Sequence, residues 1–256
     1  MSKADINGIE LHYQSYGQGE TMVFAHGAGG NLLSWWQQIP FFSQRYRCIT
    51  FDHRGFGHSY DEPEGPGADA FVDDLAGLLD HLEVKSAHLV AQSMGGRTAL
   101  GFAVAYPDRT SSLVMADTVG SMAEPAVVEL HTKWRDSHAS TEAIGSRALS
   151  PGFRKRSPEL ANLYLQISGT NPPRHQAGAP ASEGPRGAQL SGIKAPTLFI
   201  VGEEDELTPP HVIEAAAGYI PGARVTRVPE AGHSVYFEQP DIFNFEVFRF
   251  ISSLRD

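Results

Sequence analysis

The run Leu89-Val90-Ala91-Gln92-Ser93-Met94-Gly95-Gly96 carries an apolar strand into a serine and then straight into a helix-forming stretch. Few patterns restrict a fold more, because a serine exposed at the tip of so sharp a strand-to-helix turn needs an uncommon backbone conformation. Bulk two positions away on either side would collide with it. Ala91 and Gly95 remove that bulk, with alanine standing where glycine is usual because the requirement is smallness. Ser93 therefore reads as a nucleophile held on a turn between a strand and its crossover helix.

The rest of the chain repeats that alternation. Short apolar, β-branched runs occur at Glu10–Ser15, Thr21–Ala25, Cys48–Phe51, Ala87–Ala91, Ser112–Ala116, Thr197–Val201 and Arg224–Val228, and helical patterns separate many of them. Such an order predicts a mostly parallel sheet with helices on both faces. Phe71, Leu75, Leu78 and Leu82 space one helical stripe, and Phe243, Val247, Phe250 and Leu254 space another, so both helices are expected to pack on the sheet. From Ser121 to Ser191 the alternation stops. Two helix-like pieces lie there, Val127–Ser137 and Glu159–Ile167, followed by the Pro, Gly and Ala-rich run Asn171–Gly187, which reads as a lid segment or connector. The expected organisation is one α/β core, residues 1–120 and 192–256, with a small helical cap inserted at 121–191. With 256 residues, one domain suffices and buries roughly 70 to 75% of the surface of the unfolded chain.

Charge and composition exclude several classes of function. A formal charge of −10 opposes sequence-independent binding to nucleic acid phosphates. The cap segment holds eight Lys and Arg against six Asp and Glu, and Arg154, Lys155 and Arg156 are its densest basic cluster. That cluster reads as a solvated loop face in preference to a lure for an anionic substrate. Cys48 is the only cysteine, which fits a buried structural thiol and a reducing compartment. The N-terminus has no basic stretch leading into an apolar core, and nowhere do eighteen apolar residues run together, so a soluble cytoplasmic protein is expected, with no membrane partner. Oligomeric state is not legible. Motifs for zinc, phosphate-loop and dinucleotide sites are missing, and no metal or organic cofactor is expected.

A serine hydroxyl needs a base, and the base needs a partner that fixes its tautomer and stabilises its cation. His233, in Pro229-Glu230-Ala231-Gly232-His233-Ser234, follows the last strand run and precedes the final helix, which makes it the candidate base. His12, His81, His88, His131, His138, His175 and His211 lack such a setting, while His26, His53 and His58 lie in glycine-rich turns and read as structural. For the acid, Asp205 is favoured, because Val201-Gly202-Glu203-Glu204-Asp205-Glu206-Leu207-Thr208-Pro209-Pro210 ends a strand, turns and starts a helix with proline. Glu203, Glu204 and Glu206 are alternatives, and Asp117, which closes Leu113–Ala116, is a more distant one. It equally suits a hinge or cap-anchoring hydrogen bond. Two backbone N–H groups must also face the developing oxyanion. Met94 N–H, at the start of the helix after Ser93, is one; the loop His26-Gly27-Ala28-Gly29-Gly30 offers the other, with Ala28 preferred and Gly27 next.

These motifs together resemble the α/β-hydrolase superfamily over essentially the whole chain. His26–Gly30 is similar to its oxyanion loop, Asp52-His53-Arg54-Gly55-Phe56-Gly57-His58-Ser59 to its turn after the fourth strand, and Ala91–Gly96 to its nucleophile elbow. Ser93, Asp205 and His233 match the positions of its triad. The resemblance implies an α/β-hydrolase fold with a mostly parallel eight-stranded sheet and a small helical cap. Members with aspartate in the elbow, the haloalkane dehalogenases and epoxide hydrolases, are excluded by the serine. The ending Ser93-Met94-Gly95-Gly96 is similar to carbon-carbon bond hydrolases of ring-cleavage products, to enol-lactonases and to small esterases. Carbon-carbon hydrolases place asparagine before the serine and tryptophan after the histidine, where this chain has Gln92 and Ser234.

The function expected is hydrolysis of a carboxylic ester or lactone with a small to medium acyl group, through an acyl-enzyme on Ser93. Trp35, Trp36, Trp134, Phe153 and Tyr164 are candidates to line an apolar pocket, though aromatic packing accounts for most of them equally well. Three other readings share the scaffold: a carbon-carbon bond hydrolase of diketone products, a lyase, and a small-molecule receptor that retains a slow triad.

Overall fold

The computed structural model describes residues 2–172 and 184–255. His175 and most of the run expected as a connector over 171–187 lie outside them.

Eight strands form one sheet in the order β1-β2-β4-β3-β5-β6-β7-β8. They are β1 (Ser2–Ile6), β2 (Ile9–Tyr16), β3 (Thr21–Ala25), β4 (Arg47–Phe51), β5 (Ala87–Gln92), β6 (Thr110–Ala116), β7 (Thr197–Gly202) and β8 (Arg224–Val228). Only β2 runs antiparallel to its neighbours; the pairs from β4 through β8 are parallel. Seven strands lie where the apolar runs predict them, within a few residues at each end. No apolar run marks β1, which turns into β2 through Asn7 and Gly8 at φ +47° and +82°. An Asn-Gly pair with both residues left-handed is the tightest hairpin signal a sequence carries.

Alternate strand residues feed two apolar layers, as a pleat of period two requires. Val23, Ile49, Leu89, Leu113 and Phe199 join one, with side chains from α2 (Phe71–His81), α3 (Gly95–Ala105) and α9 (Pro210–Ala217). Phe24, Cys48, Val90, Val114 and Ile200 join the other, with α11 (Pro240–Ser252) and Trp35. In the two expected stripes Phe71, Leu75, Leu78, Phe243, Val247 and Phe250 are buried, and Leu82 and Leu254 partly so. The short α1 (Ile39–Phe42) precedes β4, and α10 (Val235–Glu238) leads into α11.

Between β6 and β7 the chain leaves the sheet. It forms α4 (Pro125–Ser137), α5 (Ile144–Arg147), α6 (Pro151–Arg156), α7 (Pro158–Gly169) and α8 (Ala188–Ser191). Only α4 and α7 are legible in the sequence. Among the described residues no helix is long and apolar enough to cross a membrane.

Candidate active site

Ser93 follows β5 at φ +50°. Its own N–H donates to the Ala116 carbonyl at 3.0 Å, and its carbonyl accepts from Gly96 N–H at 2.9 Å and from the Thr118 hydroxyl at 2.7 Å. These bonds hold the left-handed residue between β6 and the first turn of α3. A Cβ at Gly95 would lie 2.1 Å from the Ala25 carbonyl oxygen, so the helix meets β3 with no room for a methyl group. At Gly96 a Cβ would fall 2.4 Å from the Thr118 methyl.

Three side chains from three loops meet at one edge of the sheet. His233 Nε2 lies 2.8 Å from Ser93 Oγ, and His233 Nδ1 lies 3.0 and 2.9 Å from the two Asp205 carboxylate oxygens. Since a carboxylate only accepts, Nδ1 carries a proton, and in the neutral ring Nε2 is free to take one from the serine. Asp205 is aimed by its own turn: Oδ1 accepts the N–H groups of Leu207 and Thr208, both at 2.8 Å. The histidine loop is held by Gln92, whose Nε2 donates to the His233 carbonyl at 2.7 Å. Burial, the largest single influence, opposes a charged His233, yet the charge and hydrogen bond of Asp205, joined by the charges of Asp117 and Glu238, together hold the imidazole above its ordinary pKa.

Burial separates the candidate acids. Glu203, Glu204 and Glu206 are exposed, whereas Asp205 and Asp117 are buried. Asp117 stands at φ +53° and spends its carboxylate on backbone: Oδ1 accepts Gly202 N–H and Oδ2 accepts Val235 N–H, each at 3.1 Å. It thus ties the end of β7 to the residue two beyond His233, close to the hinge bond considered for it. Burial, then the neighbouring Asp205 charge, raises its pKa well above the carboxylate range.

The loop at 26–30 lies against the nucleophile. A Cβ at Gly27 would stand 3.1 Å from Ser93 Cβ and 2.0 Å from Gln92 Oε1, so only a glycine lets this backbone so close. Met94 precedes the first residue of α3, on the opposite side of Ser93 in the chain.

The inserted helices touch each of these loops. From α4, Trp134 Nε1 donates to the Glu206 carbonyl at 2.9 Å and His131 Nε2 to the Leu207 carbonyl at 2.7 Å. Buried Glu238 accepts the N–H of Ser150, ahead of α6, and that of Gly232, both at 3.0 Å. Past α7, Asn171 donates to the Gly30 carbonyl at 3.2 Å and accepts Gly57 N–H at 2.9 Å. Asn31 answers by donating to Thr170 Oγ1 at 2.8 Å and to the Ile167 carbonyl at 3.2 Å. Neither Glu238 nor these asparagines is legible in the sequence, because a single buried polar residue has no periodicity to reveal it.

The aromatic candidates divide. Trp35 is fully buried and stacks among Phe24, Tyr236 and Phe243 in the core. Trp134 serves the acid loop, with its ring 3.6 Å from that of His138. Tyr164 and Phe153 both contact Phe237, and the Tyr164 hydroxyl lies 3.1 Å from Ser234 Oγ, beside the base. Trp36 is half-exposed against Phe237. Among the described residues no three His, Cys, Asp or Glu side chains gather as metal ligands.

A buried imidazole between a hydroxyl and a carboxylate, on an α/β sheet with this connectivity, defines a class that comparison with known proteins identifies. The chain belongs to the alpha/beta hydrolase fold family, whose model matches residues 20–171 and 158–240. It is 30% identical over 247 residues to 3-oxoadipate enol-lactonase 2 of Acinetobacter baylyi, covering 93% of this chain and 92% of that one. Over 276 residues it is also 30% identical to 2-hydroxy-6-oxo-6-phenylhexa-2,4-dienoate hydrolase of Comamonas testosteroni, covering 95% and 92%. A thermophilic esterase from Thermogutta terrifontis superposes with a TM-score of 0.85 at 28% identity, covering 100% of this chain and 99% of that one.

Proposed function

We propose that the chain hydrolyses carboxylic esters or lactones of small to medium acyl groups through an acyl-enzyme on Ser93. The observation that carries the reading is the unbroken line of contacts from Ser93 Oγ through His233 to Asp205. His233 takes the serine proton as Oγ attacks the carbonyl, and the tetrahedral oxyanion rests on the N–H groups of Ala28 and Met94. The alcohol leaves with the proton from His233. Water then attacks the acyl-enzyme with His233 again as base, while Asp205 orients the imidazole and stabilises its cation. Residues 121–191 act as a cap over this centre and select the acyl group.

Ester or lactone cleavage is favoured over carbon-carbon cleavage by the residues flanking the centre. Gln92 occupies the position before the serine with its amide already bound to the His233 carbonyl, and Ser234 after the histidine is buried against Tyr164. Relatives named as a lactonase and an esterase agree with this choice, and a ring-cleavage hydrolase at equal identity makes carbon-carbon cleavage the competing reading. The test is turnover of nitrophenyl esters, lactones and vinylogous diketones by the purified protein and by Ser93→Ala. Many turnovers of esters or lactones, reduced at least about 10⁴-fold in the variant, are expected. Turnover of the diketones alone would establish the competing reading, and a single turnover with ligand-induced stabilisation would indicate a receptor.

A further inference from the structure

An N–H that stabilises an oxyanion must already point at it, since a donor that rocks away loses most of its effect. The direction of the Ala28 N–H is set by its peptide plane. No cis peptide occurs among the described residues, so the Gly27 carbonyl and the Ala28 N–H belong to one planar trans unit and point in opposite directions. Whatever holds that carbonyl therefore aims that N–H.

Two donors hold it, His26 Nδ1 at 2.8 Å and Gly30 N–H at 3.0 Å. The first depends on which ring nitrogen bears the proton. The backbone N–H of His53 points at His26 Nε2, 3.0 Å away. A backbone N–H only donates, so Nε2 is the bare nitrogen and the proton resides on Nδ1. The ring is fully buried and meets the rings of His53 and Phe56 edge-on, at 4.5 and 5.3 Å between centroids, which leaves it no room to turn over.

We infer that His26 is a positioning residue for the oxyanion donor: the His53 backbone locks one tautomer, that tautomer fixes the Gly27 carbonyl, and the carbonyl fixes the direction of the Ala28 N–H. The inference rests on the proposed role of Ala28. It also gives the turn at 52–59 a part in the reaction although none of its side chains belongs to the hydrogen-bonded line. Asp52 in the same turn accepts Leu32 N–H at 2.8 Å and His58 N–H at 2.9 Å, so the turn also grips the chain two residues past the oxyanion loop.

Two substitutions separate the halves of the lock. An asparagine amide reaches about as far as Nδ1, so His26→Asn keeps a donor for Gly27; a glutamine amide reaches about as far as Nε2, so His26→Gln serves His53 and leaves Gly27 with Gly30 alone. With nitrophenyl acetate, His26→Gln is expected to lower kcat about 10- to 100-fold with KM within about threefold, and His26→Asn to recover most of that loss. Affinity for an alkyl boronic acid, whose adduct on Ser93 places an oxygen in the oxyanion position, is expected to fall in parallel with kcat. A structural role alone would lower the melting temperature of both variants and leave kcat and boronic acid affinity together unchanged. Equal impairment of the two variants, or a kcat for His26→Gln within about twofold of the parent protein, overturns the inference. Nitrogen NMR of the unsubstituted protein reads the tautomer directly, and a proton on Nε2 of His26 overturns it without any variant. If the parent protein neither turns over esters nor binds the boronic acid, the proposed function fails and takes this inference with it. If it does both and His26→Gln matches it, the inference fails alone.

Discussion

Two buried aspartates lie near one imidazole, and their hydrogen bonds divide the labour between them. Asp205 faces the ring nitrogen with both oxygens, whereas Asp117 gives both of its oxygens to backbone N–H groups. Asp205→Asn is expected to lower kcat about 10⁴-fold, since an amide permits the wrong tautomer. Asp117→Asn is expected to stay within about tenfold in kcat and to lose about 1 to 3 kcal/mol of stability, because its NH₂ must face a backbone donor. Equal losses of activity in a steady-state assay would undo that division. The raised imidazole pKa has a definite sign in activity. Only neutral His233 accepts the serine proton, so kcat/KM rises with pH and its midpoint lies above the ordinary histidine value of 6.5. In Asp205→Asn the residual activity is expected to have its midpoint lower, since burial then acts with less opposition. Among these residues, the meeting of Ser93, His233 and Asp205 was legible because each sits where a strand ends. The turn after β7 favours Asp205 over Glu203, Glu204 and Glu206 without excluding them, and burial is what separates them, since Asp205 alone of the four turns inward.

Elements long enough to show a period were legible; shorter ones were not. The helices α2, α4, α7 and α11 each offer three turns or more of apolar spacing, whereas α5, α6 and α8 span four to six residues, too few for any periodicity to emerge. The strand β1 escaped for another reason, as its apolar residues are few and only the Asn7-Gly8 turn announces it. One of the unseen joints has a measurable consequence. Burial pushes the Glu238 carboxyl up to about 7 from 4.5, against the donors of Ser150, Gly232 and Ser234 that favour its charge. A carboxyl raised on folding contributes stability at low pH that is lost as pH climbs between those values. Urea unfolding of the parent protein and Glu238→Gln should therefore show a stability difference that shifts against the parent by about 3 kcal/mol from pH 4.5 to pH 7. A difference that is constant over that interval would mean that the carboxyl titrates normally.

At the scale of the whole molecule the charge is strongly acidic, and the basic cluster of the inserted segment is spent locally. Arg154 pairs with Glu142 and Arg156 with Glu230 at 3.5 Å, which leaves Lys155 exposed. Long-range attraction of an anionic substrate is then weak. For an ester bearing a carboxylate, kcat/KM is expected to change less than about threefold between low and high salt, and Lys155→Glu to leave it within about twofold. A steep loss with added salt would restore the cluster to a part in substrate capture.

Asn31 and Asn171 clasp the carboxyl end of α7 to the strand-end turn at residue 30 and to Gly57. A helix bolted in that way cannot shift without tugging on the backbone beneath it. Under the proposed function, substitutions along α7 should accordingly register first as slower or faster chemistry, with affinity following behind, so that a change of acyl selectivity made there would carry a change of speed with it.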